Sequence, residues 1–268
     1  MTRLDPLPLP DNEAHLWYIR TEGLTDAALL AAFEAMLSDD ERLAWQRFRF
    51  DEGRHIYLTS HGFLRCVLSR YADVAPAAWV FQRNAWGKPE LVFGPDSAHA
   101  RLRSLSFNLT HTRGLAACVV AWDREVGVDA EDVERRQVGE SLIHNCLSAA
   151  ELASYLSLPE GVRQSGFFDY WTLKEAYLKA RGFGLTLPVE EITFRWPSGT
   201  PHFGPVAVEF GPSIHDRPEL WQFQRLELGM RHRIAAAVRR IASPDLRVVS
   251  REARFRRLAA EHVTELLF

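Results

Sequence analysis

Apolar residues along this chain change their period several times, and each change marks an element. From Tyr18 to Phe48 they recur at helical spacing, and "LSDDERLAW" adds a serine N-cap with acids in the following turn. Residues 52–71, "EGRHIYLTSHGFLRCVLSRY", set Ile56, Leu58, Leu64, Val67 and Leu68 on one face, which predicts a second helix. "VFQRNAWGKPELVF" predicts strand, glycine-containing turn, strand. "LSFNLTHT" and "LAACVVAW" are short apolar runs parted by Arg113-Gly114, so they predict neighbouring strands, and "VGVDAEDV" follows as a strand ending in acids. The second half repeats this plan loosely. Helical patterns cover 137–156 and 163–181, followed by strand-like "VEEITFRW", "VAVEF", "WQFQRLEL" and "HRIAAAVRR". "LAACVVAW" and "RIAAAVRR" each close a half, which hints at two similar α/β halves. "PDLRVVSREARFRRLAAEHVTELLF" reads as a helical appendage with a basic beginning.

The totals narrow the class. A chain of 268 residues is one large domain or two modest ones, and 47% apolar with 25% charged residues is ordinary for a soluble globular protein. A net charge of −3 argues against a nucleic-acid binder. Cys66, Cys118 and Cys146 are odd in number and far apart, so they give neither a disulfide framework nor a zinc spacing, as expected in a reducing cytoplasm. The proline-broken start has no secretory apolar core, and no run approaches the ~20 apolar residues of a membrane span.

Three places carry candidate chemistry. Asp129 and Glu131 in "GVDAED" alternate on a strand, so both carboxylates share a face. Like charges that close repel unless a cation intervenes, and oxygen-only ligation suits Mg²⁺; the competing reading is a solvated acidic strand end. The second place is "YWTLKEAYLKARGFG". Only three of the 32 basic residues are lysine, and two of them, Lys174 and Lys179, flank Glu175. Trp171, Glu175 and Lys179 fall on one helical stripe, with Lys174 about 100° round from Glu175. A surface helix would take arginine equally well, whereas a tight phosphate site favours the compact ammonium. The third place is Lys88, set in a turn between Gly87 and Pro89, together with His111 between Thr110 and Thr112. No glycine-rich phosphate loop occurs, so any phosphate is held by side chains and metal.

Taken in order, "DEGRH", "WGKPEL", "FNLTHT", "GVDAED" and "WTLKEAYLKARGFGL" resemble the motifs of 4′-phosphopantetheinyl transferases of the surfactin-synthetase-activating type. The resemblance implies an α+β fold with α/β-type halves. That fold is a pseudo-two-fold monomer of two similar subdomains, each a small, mainly antiparallel sheet packed with helices. It implies an N-terminal subdomain (1–124) on the adenosine and 3′-phosphate side. A C-terminal subdomain (125–243) carries the metal site and catalytic helix, and a helical extension covers 244–268. By position, Asp129, Glu131 and Glu175 match the ligands of Mg²⁺ (or Mn²⁺), and Glu175, Lys179 and Glu131 match the catalytic groups. Arg54, Lys88, Thr110, His111, Lys174 and Lys179 match contacts to coenzyme A. Trp86 stands where Phe or Tyr is usual, and Thr110 where serine is commoner. The implied reaction moves 4′-phosphopantetheine from coenzyme A to a serine of an acyl or peptidyl carrier protein and releases adenosine 3′,5′-bisphosphate. Nucleic acid and membrane are not among the implied partners. Two other readings remain at this point: a catalytically silent scaffold binding carrier protein or coenzyme A, and a Mg²⁺-dependent hydrolase or nucleotidyl transferase. Segments 135–147 and 181–188 and the arginines at 251, 254, 256 and 257 are candidate docks for an acidic carrier.

Overall fold

Tyr18 to Arg20, at the head of the stretch with helical spacing, belong instead to a strand. β1 (Glu13–Arg20) pairs along its length with β5 (Leu115–Trp122), and Ala14, Leu16, Trp17 and Ile19 are buried. A strand covered on both faces reads as a nearly continuous apolar run, so its period of two is lost from the sequence. The computed structural model describes residues 6–93, 100–135, 137–182, 184–196, 205–241, 246–257 and 264–267. Two units are distinguished: Met1–Asp123 with Arg247–Phe268, and Arg124–Leu246.

In the first unit, α1 (Ala27–Met36) begins at Asp26, whose side chain accepts from the Leu29 N–H at 2.9 Å. α2 (Asp39–Gln46) begins at Ser38 with a full capping box, Ser38 and Glu41 each accepting the other's backbone N–H. α3 (Asp51–Leu68) buries Leu58, Phe63, Leu64, Val67 and Leu68 in the same apolar core as Trp17, Phe107 and Val120. A hairpin of β2 (Phe81–Arg83) and β3 (Pro89–Leu91) follows, then β4 (Leu105–Thr112), antiparallel to β5.

The second unit opens with β6 (Val126–Asp132). The helical pattern over 137–156 is two helices, α4 (Glu140–Cys146) and α5 (Ala149–Ser157), because Ser148 caps the second one through a capping box with Glu151. α6 runs Glu160–Arg181 and stops at Gly182, which takes a left-handed φ of 72° and donates its N–H to the Leu178 carbonyl. β7 (Ile192–Arg195) pairs with β8 (Ala207–Phe210); β9 (Trp221–Leu228) and β6 flank β10 (His232–Arg239) in an antiparallel sheet. α6 lies against β6 and β10.

The C-terminal segment is not the helical extension expected. β11 (Arg247–Glu252) adds to β1 in parallel register, giving the order β11-β1-β5-β4, and β12 (Arg254–Arg257) pairs with β13 (Thr264–Leu267). Pairing with the open edge of β1 satisfies a row of backbone groups, and that tertiary gain overrides the helical propensity of the segment. Among the described residues, no helix is long and apolar enough to cross a membrane.

Candidate active site

Gly127 brings the site of the second unit together. A Cβ there would lie 2.1 Å from the Ala176 carbonyl oxygen and 2.3 Å from the Ala180 nitrogen, so the α6 backbone rests directly on β6. The small residues at 127, 176 and 180 are what allow this contact. The β6 residue two further on, Asp129, shares that face and is 4% exposed. Lys179 donates to its Oδ1 at 2.5 Å while keeping 31% of its own side chain exposed. Glu175 sits one turn back on the same stripe of α6. Burial foremost, and then the Asp129 charge, push its carboxyl up to about 7, against the opposing pull of Lys179.

The three carboxylates expected at a metal do not all stand together. Among the described residues no three carboxylate, histidine or cysteine groups gather closely enough to hold an ion. Asp129 and Glu175 are within electrostatic reach of each other. Glu131, half-buried, lies farther along β6 opposite Arg233 of β10, whose guanidinium is tied to Asp169 of α6 at 3.1 Å. The two carboxylates fit a hard divalent cation on one observation in particular: the buried Glu175 Oε1 accepts no hydrogen bond. Mg²⁺ is commonly held by one or two carboxylates, with water and substrate phosphate completing its shell.

Lys174 belongs elsewhere. It was expected to contact coenzyme A, but its side chain is fully buried, donating to Glu151 Oε2 at 2.7 Å and to the carbonyls of Val189 (2.7 Å) and Ile192 (2.6 Å). Three acceptors match the three N–H bonds of an ammonium, which a planar guanidinium does not reproduce. Glu151 also accepts from the N–H groups of Ser148 and Phe194, so the pair binds α5, α6 and β7 together. Burial pushes the Glu151 carboxyl up and the Lys174 ammonium down, each resisted by the other's charge. The compact cation is needed here, but by the interior. Trp171 packs, stacking on Phe167 at 6.1 Å.

In the first unit, the Asn84 side chain accepts the N–H groups of Trp86 (2.9 Å) and Lys88 (3.0 Å), and Gly87 takes a φ of 83°, so the hairpin turn holds Lys88 in place with Trp86 56% exposed. Neighbours on β4 point to opposite faces: His111 is exposed, whereas Thr110 is 6% exposed. Thr110 therefore does not stand beside His111 on one surface. His111 lies near His61 of α3, which burial pushes down to about 4 and on which Tyr57 stacks at 3.8 Å. Arg54 folds back on the α2–α3 connection, donating to the Phe48 carbonyl at 2.9 Å. Of the proposed docks, Arg136 and Phe183 lie outside the described residues.

Gly127 and Asn84 are positioning residues outside the expected site; their sequence signals are a small residue beside an acidic strand and an Asn ahead of a Gly turn. A cleft of about 740 Å³ in the second unit, lined by Val162, Gln164, Met230 and Arg233 among others, has no local signal in the sequence.

The 4′-phosphopantetheinyl transferase superfamily model matches residues 125–238, the stretch that holds Asp129, Glu131, Glu175 and Lys179. The 4′-phosphopantetheinyl transferase HetI of Nostoc sp. is 37% identical over 186 residues, covering 69% of this chain and 75% of that protein. The L-aminoadipate-semialdehyde dehydrogenase-phosphopantetheinyl transferase of Xenopus laevis is 27% identical over 205 residues, 74% of this chain and 67% of that one. The 4′-phosphopantetheinyl transferase Sfp of Bacillus subtilis is 26% identical over 164 residues, 61% and 68% respectively. Among solved structures, the holo-[acyl-carrier-protein] synthase of Thermotoga maritima aligns at 21% identity over 49% of this chain and 66% of that one, with a TM-score of 0.34, too loose a fit to argue from. With the GVD-x-E strand and the W-x-x-K-E-A-x-x-K helix in contact, and a relative matched over 75% of its length, the chain belongs to the 4′-phosphopantetheinyl transferase superfamily.

Proposed function

We propose that the chain transfers 4′-phosphopantetheine from coenzyme A to a serine hydroxyl of an acyl or peptidyl carrier protein, with a divalent cation at Asp129 and Glu175. The observation that carries this reading is the set of buried Asp129 with partly buried Glu175 and Lys179, two carboxylates and one ammonium held where α6 rests on β6. Phosphoryl transfer asks a protein chiefly to position groups and neutralise charge, and this set supplies both. The bound cation would draw off charge from the pyrophosphate as its bond breaks.

The chain's own residues do the rest. The serine oxygen forms a bond to the phosphorus bearing pantetheine, the bond to the adenosine-side phosphate breaks, and the serine proton passes to a carboxylate. Glu175, set beside Asp129 where α6 rests on β6, is the preferred acceptor, with Glu131 as its rival. Lys179 steadies the departing phosphate. In the first unit, His111, Lys88 and Arg54 are the side chains that the motifs assign to coenzyme A. The same reading has the protein act as a monomer in the cytoplasm; the three buried free thiols accord with a reducing compartment.

The test is intact-mass measurement of apo carrier proteins from fatty-acid, polyketide, nonribosomal-peptide and lysine pathways after incubation with enzyme, coenzyme A and Mg²⁺. One phosphopantetheine mass gain is expected on at least one carrier, and its loss when Mg²⁺ is chelated. No gain on any carrier overturns the reading.

A further inference from the structure

Lys179 is the cation that occupies the Asp129 carboxylate when nothing else does. Its Nζ lies 2.5 Å from Oδ1, and Asp129 is almost fully buried, so the contact is a short, charge-assisted hydrogen bond in water-poor surroundings. The same ammonium, one turn along α6 from Glu175, lowers that carboxyl while Asp129 raises it. One monovalent charge thus serves two carboxylates, and Glu175 Oε1 is left buried without a hydrogen bond. The lysine stem remains partly exposed, so the ammonium has a path away from Asp129 that leaves the helix unmoved.

We propose that Lys179 is a resident counter-ion of the metal site, displaced from Asp129 by an arriving divalent cation and thereby released to bind a phosphate oxygen of coenzyme A. The inference rests on the reading of Asp129 and Glu175 as metal ligands. It adds that metal and Lys179 compete for one carboxylate in the absence of substrate. A divalent ion on the Asp129 carboxylate and the ammonium on its Oδ1 would be like charges joined by one carboxylate in poorly solvated surroundings, and their repulsion favours exchange. The divalent ion takes the site because it serves both carboxylates at once. The lysine, no longer held by Asp129, then stands one helical turn from Glu175 when the phosphates arrive. In this scheme lysine suits position 179 better than arginine, since a flexible point charge exchanges partners more readily than a rigid bidentate fork.

The experiment measures Mn²⁺ binding to the full chain without coenzyme A, by the electron paramagnetic resonance signal of free Mn²⁺, for wild type, Lys179→Met and Lys179→Gln. Removing a competitor should tighten Mn²⁺ binding by about tenfold. In EDTA the variants should melt below wild type, and saturating Mg²⁺ should close the gap. Coenzyme A affinity of the metal-loaded protein should fall in the same variants. If wild type binds Mn²⁺ and both folded variants bind it equally or more weakly, the exchange is wrong and the metal reading stands. If neither wild type nor variants bind Mn²⁺, the metal reading falls and the exchange falls with it. Using two variants of different polarity keeps the result readable if one of them fails to fold.

Discussion

The two units lay a helix on a sheet by opposite means. In the first, α3 meets its sheet through Leu58, Phe63, Leu64, Val67 and Leu68, and the buried charge beside it is Arg65, paired to Glu41 at 2.6 Å. The groups assigned to coenzyme A, such as His111 and Lys88, sit outside that core. In the second, α6 carries Asp169 and Lys174 into the interior, and the sheet answers with Asp129 and Arg233. An apolar contact tolerates sliding, whereas two carboxylates and an ammonium keep their balance only at fixed distances. Gly127 supplies the fixed distance, because backbone rests on backbone there. The first unit presents its chemistry at the surface of a conventional core; the second builds its chemistry into the core.

The sharpest way to break this contrast is Lys174→Met. It leaves Glu151 buried among donors that no longer balance its charge, and losing one partner of a buried pair costs about 3–5 kcal/mol. Urea unfolding should show that loss, and Lys174→Met with Glu151→Gln together should recover much of it, because the pair is then neutral. If Lys174→Met kept full stability but lost coenzyme A binding, Lys174 would be a substrate contact after all.

A somewhat smaller effect separates the two glycines beneath helices. Gly127→Ala drives a methyl into the α6 backbone, which has nowhere to move, so a cost of about 3 kcal/mol or more is expected, with loss of activity. Gly62→Ala in α3 meets the Phe33 ring at 2.4 Å, and a side chain can shift, so about 1–2 kcal/mol is expected with activity kept in the folded fraction. Equal losses of stability and activity in the two variants would mean that the backbone contact at Gly127 has no special part in the site.

Much of this was legible in the sequence because the informative residues are local. Ser38 with Glu41 announces its helix, the Asn84–Gly87 turn its hairpin, and the spacing of Glu175 and Lys179 their shared stripe. What stayed hidden depends on partners distant along the chain. β1 has no clear strand period because both its faces are covered, and the last segment looks helical because nothing local announces the open edge of β1. Lys174 and Lys179 cannot be told apart by spacing or composition. Only Glu151, 23 positions upstream of Lys174, and Asp129, 50 positions upstream of Lys179, divide them into an interior cation and a site cation.

The effect most specific to the second unit depends on pH. In metal-free protein the Glu175 carboxyl is raised to about 7, well above its value in the unfolded chain. A group raised on folding adds stability at pH below its unfolded value, and that stability is lost as pH climbs through its folded value. Wild-type protein in EDTA should therefore weaken relative to Glu175→Gln between about pH 4.5 and pH 8. The variant lacks the titration, so the two should agree near pH 4.5 and differ by roughly 2–3 kcal/mol at pH 8, allowing for partial solvent screening. Saturating Mg²⁺ should reverse the order at pH 8, because the cation favours the charged carboxylate and gives glutamine little. Urea melts at three pH values, with and without Mg²⁺, measure all of this. Parallel pH profiles for wild type and Glu175→Gln in EDTA would show that Asp129 and Glu175 do not share a charge-poor site, and the buried chemistry that separates the second unit from the first would lose its centre.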